Sequence, residues 1–337
     1  MKQSLFTLLI IIAATALFNN LQAQSGYKMT QTFHVASSGG WDYPASDPGS
    51  NNLYLSHGSQ VNILDKTTGD SVGIIPNTTG VHGIAFVNAL GKGYTSNGRL
   101  NTVTVFDLKT FKILGQIETG KNPDWIMYDN FSKKIITSNH TGGDISIIDP
   151  ITDKVVNTIY IGGKLETSVS DNAGKLFINV EDKSEIAVVD LLKNEVVAHW
   201  PFAPSEGGTG LSIDTKTKRL FASCENSLVI MDATNGKIIA TLPTGEGCDG
   251  NVFDPGTNLI FSSCGDGTLT VIKEISADEF KVIENIVTKR GARTITIDPK
   301  SHKLFLPTAE YEPIAEGAKG RPKMIAGSFQ VLVLEKK

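Results

Sequence analysis

The sequence predicts an all-β fold, a seven-bladed β-propeller of four-stranded blades, and three observations carry the prediction. Short apolar runs ending in Asp recur at a spacing of 41 or 42 residues. Turn signals opened by Asp or Asn recur seven times in step with them. A spare strand near the N-terminus matches a strand missing at the C-terminus.

The runs are Val61–Asp65, Val103–Asp107, Ile145–Asp149, Ile186–Asp190 and Leu228–Asp232, with their Asp residues 42, 42, 41 and 42 positions apart. Self-similarity at such a period marks a repeat architecture. The turns open at Asp47, Asn88, Asp129, Asp171, Asp214, Asp254 and Asp298. Each unit reads as four strands, a to d. In the third unit these are Trp125–Tyr128, Lys134–Ser138, Ile145–Ile148 and Lys154–Ile161. Apolar residues alternate with small or polar ones, Gly, Asn and Asp cluster between them, and helical periodicity is absent. The repeated Asp residues read as turn chemistry, each carboxylate bonding backbone N–H groups two residues on.

Blade boundaries fall near residues 41, 81, 122, 164, 206, 247 and 291 of a propeller spanning 24–337. Unit seven holds only three strands, Arg293–Ile297, Lys303–Leu306 and Ser328–Leu334. The segment Lys28–Val35 supplies the fourth, so the N-terminal strand completes blade seven and closes the ring. Closure removes the open sheet edges to which a β array is liable.

Residues 1–23 have the layout of a secretory signal peptide, with Lys2, an apolar run Leu5–Phe18 and a small residue at the cleavage point Ala23. The run is too short to span a bilayer, which takes about 20 apolar residues, and no later stretch is long and apolar enough. The expected location is periplasmic or secreted. Cleavage removes Lys2 and no acid, so the net charge moves from −4 to −5. That balance argues against electrostatic binding to nucleic acid or an anionic membrane, which needs a basic stripe. No Cys-x-x-Cys-His, Gly-x-Ser-x-Gly or His-Glu-x-x-His motif occurs, which sets aside covalent haem, a nucleophile elbow and a zincin site.

The Val-x-Val-Ile-Asp runs resemble the YVTN-repeat propellers, also called YncE-like, over essentially the whole mature chain, while the portion that names the repeat departs from the pattern as Leu-Tyr-Leu-Ser56, Gly-Tyr-Thr-Ser96 or Ile-Ile-Thr-Ser138. The resemblance implies an exported propeller. It implies no particular activity.

Strand a of each blade lines the central channel. Counting five positions back from each turn landmark gives Asp42, Gly83, Asp124, Glu166, Thr209, Asp249 and Arg293, with His82 one place earlier in blade two. Charged groups at the head of otherwise apolar strands are expected to face a wet funnel, because burying them unpaired between sheets is costly. Strand b ends at the same mouth, adding His57, Asn97, Asn139, Cys224 and Cys264. The longest insertion, 310–327, overhangs this mouth with Lys319, Arg321 and Lys323. Four carboxylates near one axis repel unless a cation compensates. Ca²⁺ is the candidate cofactor, and a resemblance to the calcium-dependent lactonase propellers, which place acidic and amide ligands at the channel mouth, implies Glu166, Asp249 and Asn139 as its ligands. The hairpin about Gly256 sets Cys248 opposite Cys264, within disulfide reach. Cys224–Cys248 is the rival pairing and three free thiols the third alternative.

Two functions compete. The first is a non-catalytic binding or scaffold module that recognises a small polar ligand or an envelope protein at the funnel. The second is a metal-assisted hydrolase or lactonase using the same residues, with His82 as acid–base group; it would resemble the calcium-dependent lactonase propellers.

Overall fold

The computed structural model describes residues 25–37, 39–313 and 323–337. The signal-peptide reading of residues 1–23 and the central part of the 310–327 insertion lie outside the described residues. Seven antiparallel four-stranded sheets form the blades. Among the described residues the helical structure amounts to three single 3-10 turns. Blade three is typical, running Pro123–Asp129, Lys134–Asn139, Asp144–Asp149 and Lys154–Tyr160 in sequence and spatial order.

Blade seven is built as its strand deficit predicts. Thr296–Ile297, Leu304–Thr308 and Gln330–Lys336 are its inner strands, and Tyr27–His34 pairs along Gln330–Lys336 as the outermost. Seven apolar clusters fill the spaces between successive blades, including one between blade seven and blade one with Phe33, Phe305, Leu53 and Trp41. Seven interfaces for seven blades mean a closed ring. Fully burying each large aliphatic or aromatic side chain there contributes about 1.5–3 kcal/mol. The blades meet closely near the axis. A Cβ on Gly210 would lie 2.8 Å from the backbone N of Asn251 in the next blade.

The repeated Asp residues act as turn clamps. Asp65 Oδ1 accepts from the N–H groups of Thr67 and Thr68, and Asp254 Oδ1 from Gly256 N–H.

One feature of strand a positions the site. In blades one, two, three, four and six its pairing with strand b shifts register close to the mouth, within 41–44, 81–84, 123–126, 165–168 and 248–250. In the first four of these, two residues oppose one, the signature of a β-bulge, which re-aims side chains and is common beside functional sites. The opposing residues are Ser56, Ser96, Ser138 and Asn179; all but Ser138, whose hydroxyl has no partner among the described residues, hydrogen-bond to the backbone at the bulge or in the next blade. Ser56 Oγ accepts from Asp42 N–H at 3.0 Å, and Ser96 Oγ from Gly83 N–H at 2.8 Å. Ser96 Oγ also donates to the Asp124 carbonyl, and Asn179 Nδ2 to the Thr209 and Gly210 carbonyls, each in the following blade.

Candidate functional site

The register shifts carry Asp42, His82, Asp124, Glu166 and Asp249, and four of these meet Arg293 in a string of alternating charge. Arg293 Nε donates to Asp249, and its Nη2 lies 3.9 Å from Asp42 Oδ1. Asp42 Oδ2 is 2.6 Å from His82 Nδ1, which is 3.1 Å from Asp124 Oδ1. The string thus runs through blades six, seven, one, two and three. Glu166 of blade four continues the ring through His140, whose Nδ1 lies 2.9 Å from Glu166 Oε1. Thr209 of blade five is tied back, its hydroxyl donating to the Cys248 carbonyl at 2.9 Å.

Negative charge is in excess. Burial raises the Asp124 carboxyl well above the ordinary carboxylate range, and Glu166 raises it further against the opposing pull of His82. Glu166 is likewise raised well above its range, by burial and then by Asp249 and Asp42. Asp249 is raised because burial outweighs the Arg293 guanidinium beside it. His82 shows the converse. Burial pulls its imidazole down, but the Asp42 hydrogen bond and the charges of Asp124, Asp42 and Glu166 lift it to about 9. Asp124 is only 7% exposed, and its Oδ2 atom has no hydrogen-bond partner.

Tyr43 and Trp125 form the floor, packed edge to face with centroids 5.0 Å apart. Burial, and then the surrounding carboxylates, raise the Tyr43 phenol well above its usual value. It therefore stays protonated and donates to Glu166 Oε2 at 3.4 Å. Beyond this pair a cavity of about 230 Å³ follows the inner strands toward Ser46, lined among others by Leu211, Ile295, Thr167 and Asn251.

The structure places His57, Asn97 and Asn139 away from this mouth. His57 is fully buried, stacked on Phe329 at 4.0 Å, with its ring nitrogens engaged by Ser37 Oγ and the Gly39 carbonyl. Burial holds its imidazole below the usual value. Asn97 bridges Thr95 and Thr104 inside blade two, and Asn139 bridges Thr137 and Ser146 identically one repeat later. The oxygen set Glu166, Asp249 and Asn139 is therefore not assembled, since Asn139 turns inward. The reason is strand alternation, because a one-residue step moves a side chain to the opposite face. The next residue, His140, reaches the mouth, and so does Glu181, which follows Val180 at the end of strand b in blade four. His140, Glu166 and Glu181 offer ligand atoms within 4.8 Å of one another. Reading strand b one place further finds both residues. Tyr43 was hidden by its resemblance to a core aromatic.

Cys248 and Cys264, directly paired across strands a and b, are disulfide-bonded. Cys224 is free and buried, and burial pushes its thiol up to about 12. At the base of the insertion, Glu310 takes hydrogen bonds from Lys289 and Gln330, and Tyr311 pairs with Met324. No helix among the described residues is long and apolar enough to cross a membrane.

Fold and site together define a seven-bladed β-propeller with a buried, acidic mouth braced by one guanidinium and two imidazoles. No protein-family model and no curated protein matches the chain. Among solved structures it is similar to a chain of the hydrazine synthase of Kuenenia stuttgartiensis, with a TM-score of 0.70 and 15% identity over 81% of this chain and 94% of that one. Likeness at that identity establishes the shared propeller fold alone.

Proposed function

We propose that this propeller is a binding module that draws a positively charged group into its acidic mouth. The group belongs to a small polar ligand or to a protein of the cell envelope. The observation that carries the reading is the convergence of the Asp42, Asp124, Glu166 and Asp249 carboxyls on one site, with Asp124 buried and its Oδ2 atom without a partner among the described residues. Burial and the neighbouring carboxylates disfavour the ionised forms of Asp124 and Glu166, and an entering cation favours them, so its binding is coupled to their ionisation.

Thermal melts with putrescine, a lysine-containing tripeptide and succinate test this, because a ligand of the native state raises apparent stability by mass action. The amines are expected to raise Tm by several degrees and succinate to leave it unchanged. Glu166→Gln should shrink the amine effect. Equal or greater stabilisation by succinate overturns the reading.

Export and membership of the YVTN-repeat, YncE-like propellers belong to the same proposal. The layout of residues 1–23 and the Cys248–Cys264 disulfide, a bond favoured in oxidising compartments, support export. The Val-x-Val-Ile-Asp runs support the family. A second reading, metal-assisted hydrolysis of a lactone or ester, is favoured by the His140–Glu166 pair, in which Oε1 lies 2.9 Å from the imidazole Nδ1 and orients the ring. Turnover on a lactone and ester panel, abolished by His140→Gln, would establish it in place of simple binding.

A further inference from the structure

We propose that Asp42, His82 and Asp124 form a three-ligand site for a borderline first-row divalent cation, with Zn²⁺ as the probe. The inference rests on the reading of the mouth as a ligand site and names one occupant of it.

Three blades contribute one donor atom each, all within 4.8 Å of one another. Each donor sits at a register shift near the head of strand a, so its position is set by the sheet rather than by a loop. His82 Nδ1 is 2.6 Å from Asp42 Oδ2 and 3.1 Å from Asp124 Oδ1. With metal–ligand bonds of about 2.0–2.2 Å, adjacent ligands on one ion stand roughly 3.0–3.5 Å apart. Opening the cluster by a few tenths of an ångström therefore reaches coordination geometry. The imidazole is backed against Gly98, where a Cβ would lie 2.7 Å from His82 Nε2. That leaves Nδ1 facing the two carboxylates.

The independent sign of a missing ligand is Asp124 Oδ2. This carboxylate oxygen is buried, in a residue 7% exposed, and no donor reaches it. Leaving a buried polar atom unpaired is costly, and a cation held by both oxygens of this carboxylate, with Oδ1 already 3.1 Å from His82 Nδ1, would satisfy it. The His140, Glu166 and Glu181 cluster shows no such orphan. Arg293 is engaged with Asp249 and approaches Asp42 only through Oδ1, leaving Oδ2 for the ion.

The donor set selects the metal. Ca²⁺ is bound through oxygen, whereas an imidazole nitrogen beside carboxylates suits Zn²⁺ and its first-row neighbours. Three protein ligands leave a fourth position free for water or an incoming group.

Titration calorimetry on chelator-treated full-length mature protein with ZnCl₂ and separately with CaCl₂ tests the proposal. One Zn²⁺ per chain is expected, with Ca²⁺ binding at least tenfold weaker. His82→Gln and Asp124→Asn should each weaken Zn²⁺ at least tenfold. Because a variant can misfold, Co²⁺ is added to the wild type as well, where a one-equivalent visible spectrum from nitrogen and oxygen ligation is expected. Absent Zn²⁺ and Co²⁺ binding, Ca²⁺ binding as tight as Zn²⁺, or unchanged affinity in both folded variants overturns the proposal. If amines still raise Tm while Zn²⁺ fails to bind, the metal inference falls and the cation-binding mouth stands. If amines fail as well, both fall.

Discussion

Lys66 is a buried ammonium with three oxygen partners: the Asp47 carbonyl at 2.6 Å, the Ser50 carbonyl at 3.0 Å and Asp298 Oδ1 at 2.9 Å. The last bond joins blade one to blade seven at the face opposite the mouth. Removing one member of a buried pair strands the other, at a cost of about 3–5 kcal/mol. Lys66→Met should lower unfolding free energy by that amount in urea titrations, and a loss below about 1 kcal/mol would contradict the pairing. The pair also sets an acid limit. Burial raises the Asp298 carboxyl, but hydrogen bonds from Ser301 and Lys66 outweigh it and bring it down to about 2. A folded-state value below the unfolded one contributes stability that is present above about pH 4 and lost as pH falls through about 2. Asp298→Asn should therefore be less stable at pH 6 yet lose less between pH 4 and pH 2. Parallel pH curves for the two proteins would sink the assignment.

The bulge in strand a is the element that turns a repeat into a site. A regular strand would aim successive side chains at the two neighbouring blades. The bulges instead accompany a convergence of Asp42, His82 and Asp124 from three blades. Ser96 ties down one bulge and the next blade together, through Gly83 N–H and the Asp124 carbonyl. Ser96→Ala is expected to cost about 1–3 kcal/mol, the range for leaving buried polar partners unsatisfied, and to weaken ligand binding at the mouth. Stability loss with binding untouched would show that the bulge holds without its serine. The heads of strand a were legible in the sequence because charged residues stand out against apolar strands at a fixed offset from each turn. The bulges were not legible, since an extra residue leaves the apolar pattern readable in either register. Strand b hides its contribution for another reason: its last residues, Asn97 and Asn139, turn into the blade, and the side chains that reach the mouth, His140 and Glu181, stand one place beyond the strand.

At the scale of the molecule, the repeat period fixes the number of blades, and the strand deficit in unit seven fixes how the ring closes. Both follow from local patterning, which is why the fold was readable in advance while the occupant of its mouth was not. Closure depends on a strand far from its partners in sequence. Tyr27–His34 pairs with Gln330–Lys336 and carries the buried Tyr27 and Phe33, with Val35 just beyond. At about 1.5–3 kcal/mol for each large apolar side chain buried, these three contribute about 5–9 kcal/mol. That sum is comparable with the whole stability of many domains, about 5–15 kcal/mol. Without the strand, Gln330–Lys336 becomes an exposed edge open to pairing with other chains. A protein beginning at Gln24 is expected to melt in one cooperative transition as a soluble species. A shorter protein beginning at Ala36 should lose that transition or associate, read by scanning calorimetry and size-exclusion chromatography. If the shorter protein stays monomeric and melts within a few degrees of the longer one, the ring does not need its N-terminal strand. The arrangement of charges at the mouth would then have to be held by blades one to six alone.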